Sequence, residues 1–80
     1  MHEYIATFHT HLSALMTSRA LTGLGVQARM MPVPRKLSSS CGTCVRYLAE
    51  DPNLSAMDED VEAVYEKIGK EEYTLLMNMD

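Results

Sequence analysis

Glycine and proline residues interrupt this chain at points that limit it to short helices and strands. Gly23 and Gly25 stop a helical pattern in the first third of the sequence. Pro32 and Pro34 close the extended run that occupies residues 26–33. Glycine accepts the backbone conformations that end helices, whereas proline has no N–H to donate and cannot continue an ordinary central strand. The chain is therefore expected to fold as a succession of short elements.

The N-terminal third has the pattern of a strand followed by a helix. Residues 3–8 are rich in β-branched and aromatic side chains, which favour a strand. Thr10 can cap a helix, because its hydroxyl can accept a hydrogen bond from the first turn. Apolar residues then recur at nearly helical spacing and predict one buried stripe on this helix: Leu12, Leu15, Met16, Ala20 and Leu24.

The middle and end of the chain have the pattern of a strand, a second helix and a last strand. A polar segment at residues 34–42, which we call the cysteine loop, leads to a strand at 43–48 and a turn at 50–53. Ser55 is expected to cap a second helix that ends at Gly69. Acidic side chains in its first turn suit the helix dipole, and they are Asp58, Glu59 and Asp60. Its predicted buried stripe is Met57, Val61, Val64, Tyr65 and Ile68.

A last strand at residues 73–79 completes the order βαββαβ. This order predicts an α+β fold of the ferredoxin-like type, a four-stranded antiparallel sheet with two helices on one face. Residues 1–80 are expected to form one domain. A chain of this length buries only about 60 to 65% of the surface that its unfolded form exposes, so a homo-oligomer is expected to help stabilise it.

This topology also predicts which residues surround the cysteine loop. Right-handed crossovers make the first two strands parallel, with the third inserted between them in the opposite direction. The end of the first strand, the start of the first helix and the cysteine loop then share one edge of the sheet. We therefore expect His9, Thr10 and His11 to be neighbours of Cys41.

Charge is distributed unevenly along the chain, whose net charge is −4. Residues 4–49 contain no Asp or Glu, and ten of the 11 acidic residues lie from Glu50 onward. The first half carries the positive side chains Arg19, Arg29, Arg35, Lys36 and Arg46. Positive charge and a nearby helix start both stabilise a thiolate, so the sequence predicts a reactive Cys41 or an anionic partner.

Composition argues against several functions. No apolar run approaches the roughly 20 residues that cross a bilayer, and the first residues lack a basic leader, so a cytoplasmic protein that binds no membrane is expected. Two cysteines three positions apart are too few for a disulfide framework. The aromatic strand motif of RNA-binding sheets is missing and the net charge is negative, so no nucleic-acid partner is expected.

The spacing of Cys41 and Cys44 suggests two further kinds of site. A C-x-x-C pair is the dithiol of thioredoxin-like proteins, but there it opens a helix, whereas Thr43 and Val45 favour a strand that turns the two thiols to opposite faces. Zinc could be held by both cysteines with His9 and His11. One C-x-x-C with histidines at a strand-to-helix junction is a weak zinc pattern, so no metal or other cofactor is predicted.

The segment from Val26 to Gly42 resembles a small bacterial family described as putative selenium/sulfur carrier proteins. The parts of the resemblance are a glycine before the second strand, Pro-x-Pro-Arg, a run of serines and Cys-Gly, here Gly25, Pro32, Pro34, Arg35, Ser38, Ser39, Ser40, Cys41 and Gly42. Arg46 matches an arginine that is common in this family a few residues after the Cys-Gly pair. The resemblance implies that Cys41 carries sulfur or selenium as a persulfide or perselenide, in surroundings shaped by Arg35 and the serines. It does not imply a second essential thiol at Cys44.

The leading hypothesis from the sequence is a covalent sulfur or selenium carrier that works as a relay and not as an enzyme turning over alone. Its implied partners are a donor of the cysteine desulfurase type and an acceptor protein. One alternative is a non-catalytic regulatory or adaptor domain that binds a protein through an edge strand or an exposed sheet face. Another is a thiol redox sensor that forms a bond between Cys41 and Cys44.

Overall fold

The computed structural model of the protein describes residues 1–79, which contain five strands, one α-helix and one 3-10 turn. The elements in chain order are β1 His2–Phe8, α1 His11–Gly23, β2 Gln27–Pro32, β3 Thr43–Ala49, the 3-10 turn Leu54–Ala56, β4 Val61–Gly69 and β5 Glu72–Asn78. The predicted α+β class is confirmed. The expected four strands and two helices are wrong in detail, because the second helix is replaced by an additional strand.

The five strands form one antiparallel sheet in the order β2-β3-β1-β4-β5. β3 lies between β1 and β2 and runs opposite to both, as the topology predicted from the sequence requires. β3 and β4 flank β1 and are parallel to each other, so the connection at residues 50–60 crosses from one side of β1 to the other. The helix α1 packs on β1, β2 and β3.

The core lies between α1 and the face of the sheet that carries alternate residues of β1 and β3. Strand side chains alternate between faces, so Tyr4, Ala6 and Phe8 point to the same side. Tyr4 stacks on Tyr47 of β3 with ring centroids 5.1 Å apart. The hydroxyl of Tyr47 donates to the carbonyl of Pro52 at 2.6 Å, so this buried ring also fixes the crossover connection. The buried core cluster comprises Tyr4, Ala6, Phe8, Ala14, Leu21, Val45, Tyr47, Ala49, Val61 and Val64.

The helix begins and ends where the sequence predicts, but a different side of it is buried. The hydroxyl of the N-cap Thr10 accepts a hydrogen bond from the backbone N–H of Ser13 at 3.1 Å, and the chain turns at Gly25 with a φ of +83°. The predicted stripe is wrong, because Leu12, Met16 and Leu24 are exposed. The buried side chains of α1 are Ser13, Ala14, Thr17 and Leu21.

Small and polar side chains face the sheet because the crossover connection supplies their hydrogen-bond partners. The hydroxyl of Ser13 donates to the carboxylate of Asp58 at 2.8 Å, and the backbone N–H of Asp58 donates to the hydroxyl of Thr17 at 3.0 Å. The buried face of α1 is rotated about the helix axis by about 100° from the apolar stripe predicted from the sequence. This angle separates consecutive residues in a helix with 3.6 residues per turn. None of the helices in residues 1–79 has the length and apolar character needed to cross a membrane.

The segment that was expected to form the second helix is mostly strand β4. Val64 pairs with Ala6 and Tyr65 with Ile5 of β1, and β5 pairs along the other edge of β4. Ser55 lies in the 3-10 turn and does not cap an α-helix, and Ile68 is exposed. Asp58, Glu59 and Asp60 precede the strand and not a helix. The β-branched and aromatic residues of this segment favour the extended conformation once strands are available on both sides. The predicted last strand is confirmed as β5.

Asp58 is expected to be a structural side chain of the crossover connection. Replacing it with alanine should lower the free energy of unfolding by about 1 to 3 kcal/mol, because Ser13 loses its charged hydrogen-bond acceptor in a partly buried setting. The matched control is Asp60→Ala, since Asp60 is exposed and contributes its backbone carbonyl to His9. Urea denaturation followed by circular dichroism measures both. Equal losses in the two variants would contradict this role for Asp58.

Candidate functional site

The cysteine loop extends the hairpin formed by β2 and β3. The backbone N–H of Val33 donates to the carbonyl of Gly42 at 3.1 Å, and that of Leu37 donates to the carbonyl of Pro34 at 2.9 Å. Gly42 has a φ of +74°, in the left-handed region that favours glycine. Glycine is therefore needed directly after Cys41 for the backbone to turn into β3, and the space where a side chain would begin is open.

Cys41 is a free, half-buried cysteine that packs against the core cluster. Its Sγ lies 3.4 Å from the carbonyl oxygen of Thr43, to which the thiol can donate, and 3.8 Å from Oγ of Ser39. The backbone N–H of Gly42 donates to that same Oγ at 3.0 Å. Because the oxygen of Ser39 already accepts one hydrogen bond, its O–H remains available to donate toward the sulfur. The loop thus places one hydroxyl donor beside Cys41.

The next serine connects the loop to strand β4. The hydroxyl of Ser40 donates to the carboxylate of Glu62 at 2.7 Å, and its backbone N–H donates to the same carboxylate at 3.0 Å. Nδ1 of His9 lies 3.3 Å from Oε2 of Glu62 and 3.4 Å from Oγ of Ser40. The end of β1, the cysteine loop and the start of β4 therefore meet at Glu62, a buried carboxylate.

The structure brings the predicted neighbours to the loop through the residues on either side of Cys41. His9 contacts Ser40, and Nδ1 of His11 lies 3.4 Å from the hydroxyl of Thr43. Thr10, between the two histidines, caps α1, so its hydroxyl is committed to the helix. The end of β1 and the start of α1 thus lie against the loop.

Cys44 differs sharply from Cys41, although both are free thiols. Cys44 lies in β3 opposite Thr7 of β1 and Met31 of β2, on the face of the sheet away from α1, and it is 0% exposed. Its Sγ lies 3.7 Å from the carbonyl oxygen of Pro32. Burial raises the pKa of the Cys44 thiol to about 11, and the nearby charge of Cys41 acts in the same direction.

The remaining predicted site residues are spread over the loop and the sheet. Arg35, Lys36 and Ser38 are exposed on the cysteine loop. Arg46 lies in the middle of β3, and its Nε donates to the carboxylate of Glu3 at 2.6 Å. Arg46 therefore forms an ion pair with β1 across the sheet.

Glu62 is the site residue that sequence reasoning missed. It belongs to the acidic half of the chain and fell within the supposed second helix, so nothing connected it with the cysteine loop. The signal that could have found it is a carboxylate at the start of a strand beside β1, close to the end where His9 lies. Within residues 1–79 no group of three or more His, Cys, Asp and Glu side chains is arranged to hold a metal ion.

Comparison with known proteins supports the resemblance seen in the loop. A family model described as "Putative Se/S carrier protein-like" matches residues 3–73. The uncharacterized protein YtiA of Escherichia coli (strain K12) is 33% identical over 45 residues, which are 56% of this chain and 53% of that protein. The chain thus spans about half the length of this curated relative. No solved structure matches the chain. Because the family model covers most of its length, the chain belongs to the Se/S carrier protein-like family.

Proposed function

We propose that this protein is a covalent carrier of sulfur or selenium, and that Cys41 is the acceptor. The observation that carries the proposal is the setting of Cys41, a half-buried thiol at the end of a loop with the Ser39 hydroxyl 3.8 Å from its sulfur. The family description supports the same chemistry. In this proposal the carrier works in the cytoplasm between a donor of the cysteine desulfurase type and an acceptor protein.

The proposed transfer moves one sulfur atom without net oxidation. The Cys41 thiolate attacks the terminal sulfur of a persulfide on the donor's cysteine. A new S–S bond forms at Cys41, the donor's S–S bond breaks, and its electron pair leaves on the donor cysteine, which takes up a proton. The persulfide on Cys41 is then attacked in the same way by the acceptor. Selenium would be carried as the corresponding perselenide.

Positive side chains and a hydroxyl group lie on the same loop as Cys41. Arg35 and Lys36 are exposed on the same loop and supply positive charge. These charges attract an anionic partner surface. The Ser39 hydroxyl lies 3.8 Å from the sulfur and can donate to it. The carboxylate of Glu62 is compensated by its two hydrogen bonds with Ser40, and Nδ1 of His9 lies 3.3 Å from it.

The environment of Cys44 supports a carrier more than a dithiol sensor. A resolving cysteine must ionise and reach the first sulfur, whereas Cys44 is fully buried with a pKa raised to about 11. A persulfide on Cys41 is therefore protected from release by an internal disulfide. This argues for relay to a partner.

Sulfur loading tests the proposal directly. The protein is incubated with a cysteine desulfurase and L-cysteine, and its intact mass is measured without reductant. Wild type is expected to gain the mass of one sulfur atom and Cys41→Ser to gain none. Cys44→Ala, the matched control, should gain as much as wild type, because alanine fills a buried position where cysteine behaves as a small apolar residue. Absence of any gain in wild type, or an equal gain in Cys41→Ser, rejects the proposal.

A second candidate, an adaptor domain, is favoured by the edge strand β5. β5 lies at one edge of the sheet and carries the exposed apolar side chains Leu75 and Leu76. An adaptor needs no reactive thiol. It would be supported if wild type gains no sulfur and if iodoacetamide alkylates Cys41 no faster than free cysteine at neutral pH.

A further inference from the structure

We infer that Glu62 is a positioning residue for Cys41, which holds the cysteine loop in the conformation that receives sulfur from a protein donor. This inference rests on the proposed carrier function and adds a residue to it. Glu62 lies 21 positions after Cys41 in the sequence and on another strand. Its connection to the loop is therefore made by the fold alone.

The contacts of Glu62 explain why it can hold the loop. Its side chain is 12% exposed, and burying a carboxylate is unfavourable unless hydrogen bonds or opposite charges compensate. Ser40 compensates with two donors, its backbone N–H at 3.0 Å and its hydroxyl at 2.7 Å. Hydrogen bonds to a charged acceptor are stronger than those between neutral groups. The residue immediately before Cys41 is thus bound twice to one rigid strand.

His9 connects the same carboxylate to the central strand. Nδ1 of His9 lies 3.3 Å from Glu62, and the backbone N–H of His9 donates to the carbonyl of Asp60 at 3.1 Å. The end of β1 is therefore fixed to the start of β4 at the point where Glu62 binds the loop. The anchor of the cysteine loop lies on two paired strands and does not depend on the loop's own turns.

The geometry of this cluster differs from that of a serine nucleophile. In a catalytic triad the serine hydroxyl donates to a histidine, which a carboxylate orients from its other side. Here the hydroxyl of Ser40 donates directly to Glu62, and His9 approaches the same carboxylate. A hydroxyl committed to a carboxylate restrains the backbone of its own residue. We therefore assign the cluster to positioning of Cys41.

Two consequences of opposite sign follow from a fixed loop. Cys41 packs against the core cluster while the loop is held, so releasing the loop should expose its sulfur to small reagents. Transfer from a protein donor needs the sulfur at a defined position, and a misplaced group can cost up to about a hundredfold in rate. Release of the loop should therefore speed alkylation and slow sulfur loading.

The experiment compares Glu62→Ala, Glu62→Gln and Glu66→Ala in both reactions. Glu62→Ala is expected to load sulfur from the desulfurase about tenfold to a hundredfold more slowly than wild type, while iodoacetamide alkylates its Cys41 several-fold faster. Glu62→Gln keeps one oxygen to accept from the backbone N–H of Ser40, and its amide NH2 can donate to the Ser40 hydroxyl, so both of its rates should stay within about threefold of wild type. Glu66→Ala is the matched control, because Glu66 lies on the same strand and contacts His2. Both rates should be unchanged in this variant.

Cys44 reports within each variant whether the fold is intact, because this buried thiol should stay unreactive in a folded chain. If Glu62→Ala exposes Cys44, the test is made with the milder variant Ser40→Ala. This variant removes the hydroxyl, one of the two donors to Glu62, and should also slow sulfur loading and speed alkylation. The inference is overturned if the variant used for the test loads sulfur and is alkylated at Cys41 at the same rates as wild type. It is also overturned if both of these rates fall. If wild type accepts no sulfur, the carrier proposal fails, and the alkylation rates alone still decide whether Glu62 holds the loop.

Discussion

Replacing Leu21 with alanine is expected to lower the free energy of unfolding by about 2 to 5 kcal/mol. Leu21 lies near the end of α1, is 0% exposed and belongs to the core cluster between helix and sheet. Truncating it removes buried apolar surface and leaves a cavity that the strands beneath can fill only in part. The free energy of unfolding of a small domain is about 5 to 15 kcal/mol. Truncating this one side chain should therefore remove a large fraction of that free energy.

The matched control is Leu24→Ala, the same substitution three residues further along. Leu24 is 63% exposed, so its loss is expected to change the free energy of unfolding by less than about 0.5 kcal/mol. Urea denaturation followed by circular dichroism gives both values. If Leu24→Ala proved the more destabilising change, α1 would have to bury the apolar stripe predicted from the sequence.

The elements that could be predicted from the sequence are those with local stop signals. β1, α1, β2 and β3 begin and end close to their expected positions, because Thr10 caps the helix and glycine and proline close the neighbouring segments. These signals act within a few residues of the chain. The bounds of an element are therefore readable without knowledge of what packs on it.

The second helix could not be excluded by such local reasoning. Val61, Val64, Tyr65 and Ile68 have the spacing of one helical face, and the same residues also have high strand propensity. Pairing with β1 and β5 decides between the two, and these partners lie far away or later in the sequence. The buried face of α1 was misplaced for a similar reason, since the contacts of Asp58 with Ser13 and Thr17 come from the crossover connection.

Part of the candidate site could be predicted from the sequence. The strand order alone placed His9 and His11 beside the cysteine loop, and the structure has them in contact with Ser40 and Thr43. Glu62 was missed because its strand had been taken for a helix. An error in one element thus removed the residue that anchors the loop, while the neighbours supplied by the correctly predicted elements were retained.

The two cysteines are expected to differ in reactivity although they are three residues apart. In the native protein at pH 8, iodoacetamide should alkylate Cys44 more slowly than free cysteine by a factor on the order of a hundred. The thiolate is the reactive form, and burial raises the pKa of Cys44 to about 11 against roughly 8.5 for a free thiol. The protonated form is favoured at pH 8, so the rate at Cys44 should rise as the pH approaches 11. Cys41, half-buried on the loop, should react first.

Mass spectrometry of peptides from timed reactions measures the two rates in one sample. Alkylation in denaturant is the control, because unfolding removes the burial that suppresses Cys44 and should make the two cysteines react at similar rates. Native Cys44 reacting as fast as free cysteine would contradict its burial in β3. It would also remove the reason for treating Cys41 as the sole carrier thiol, since a second ionised sulfur could then reach a persulfide and release it as an internal disulfide.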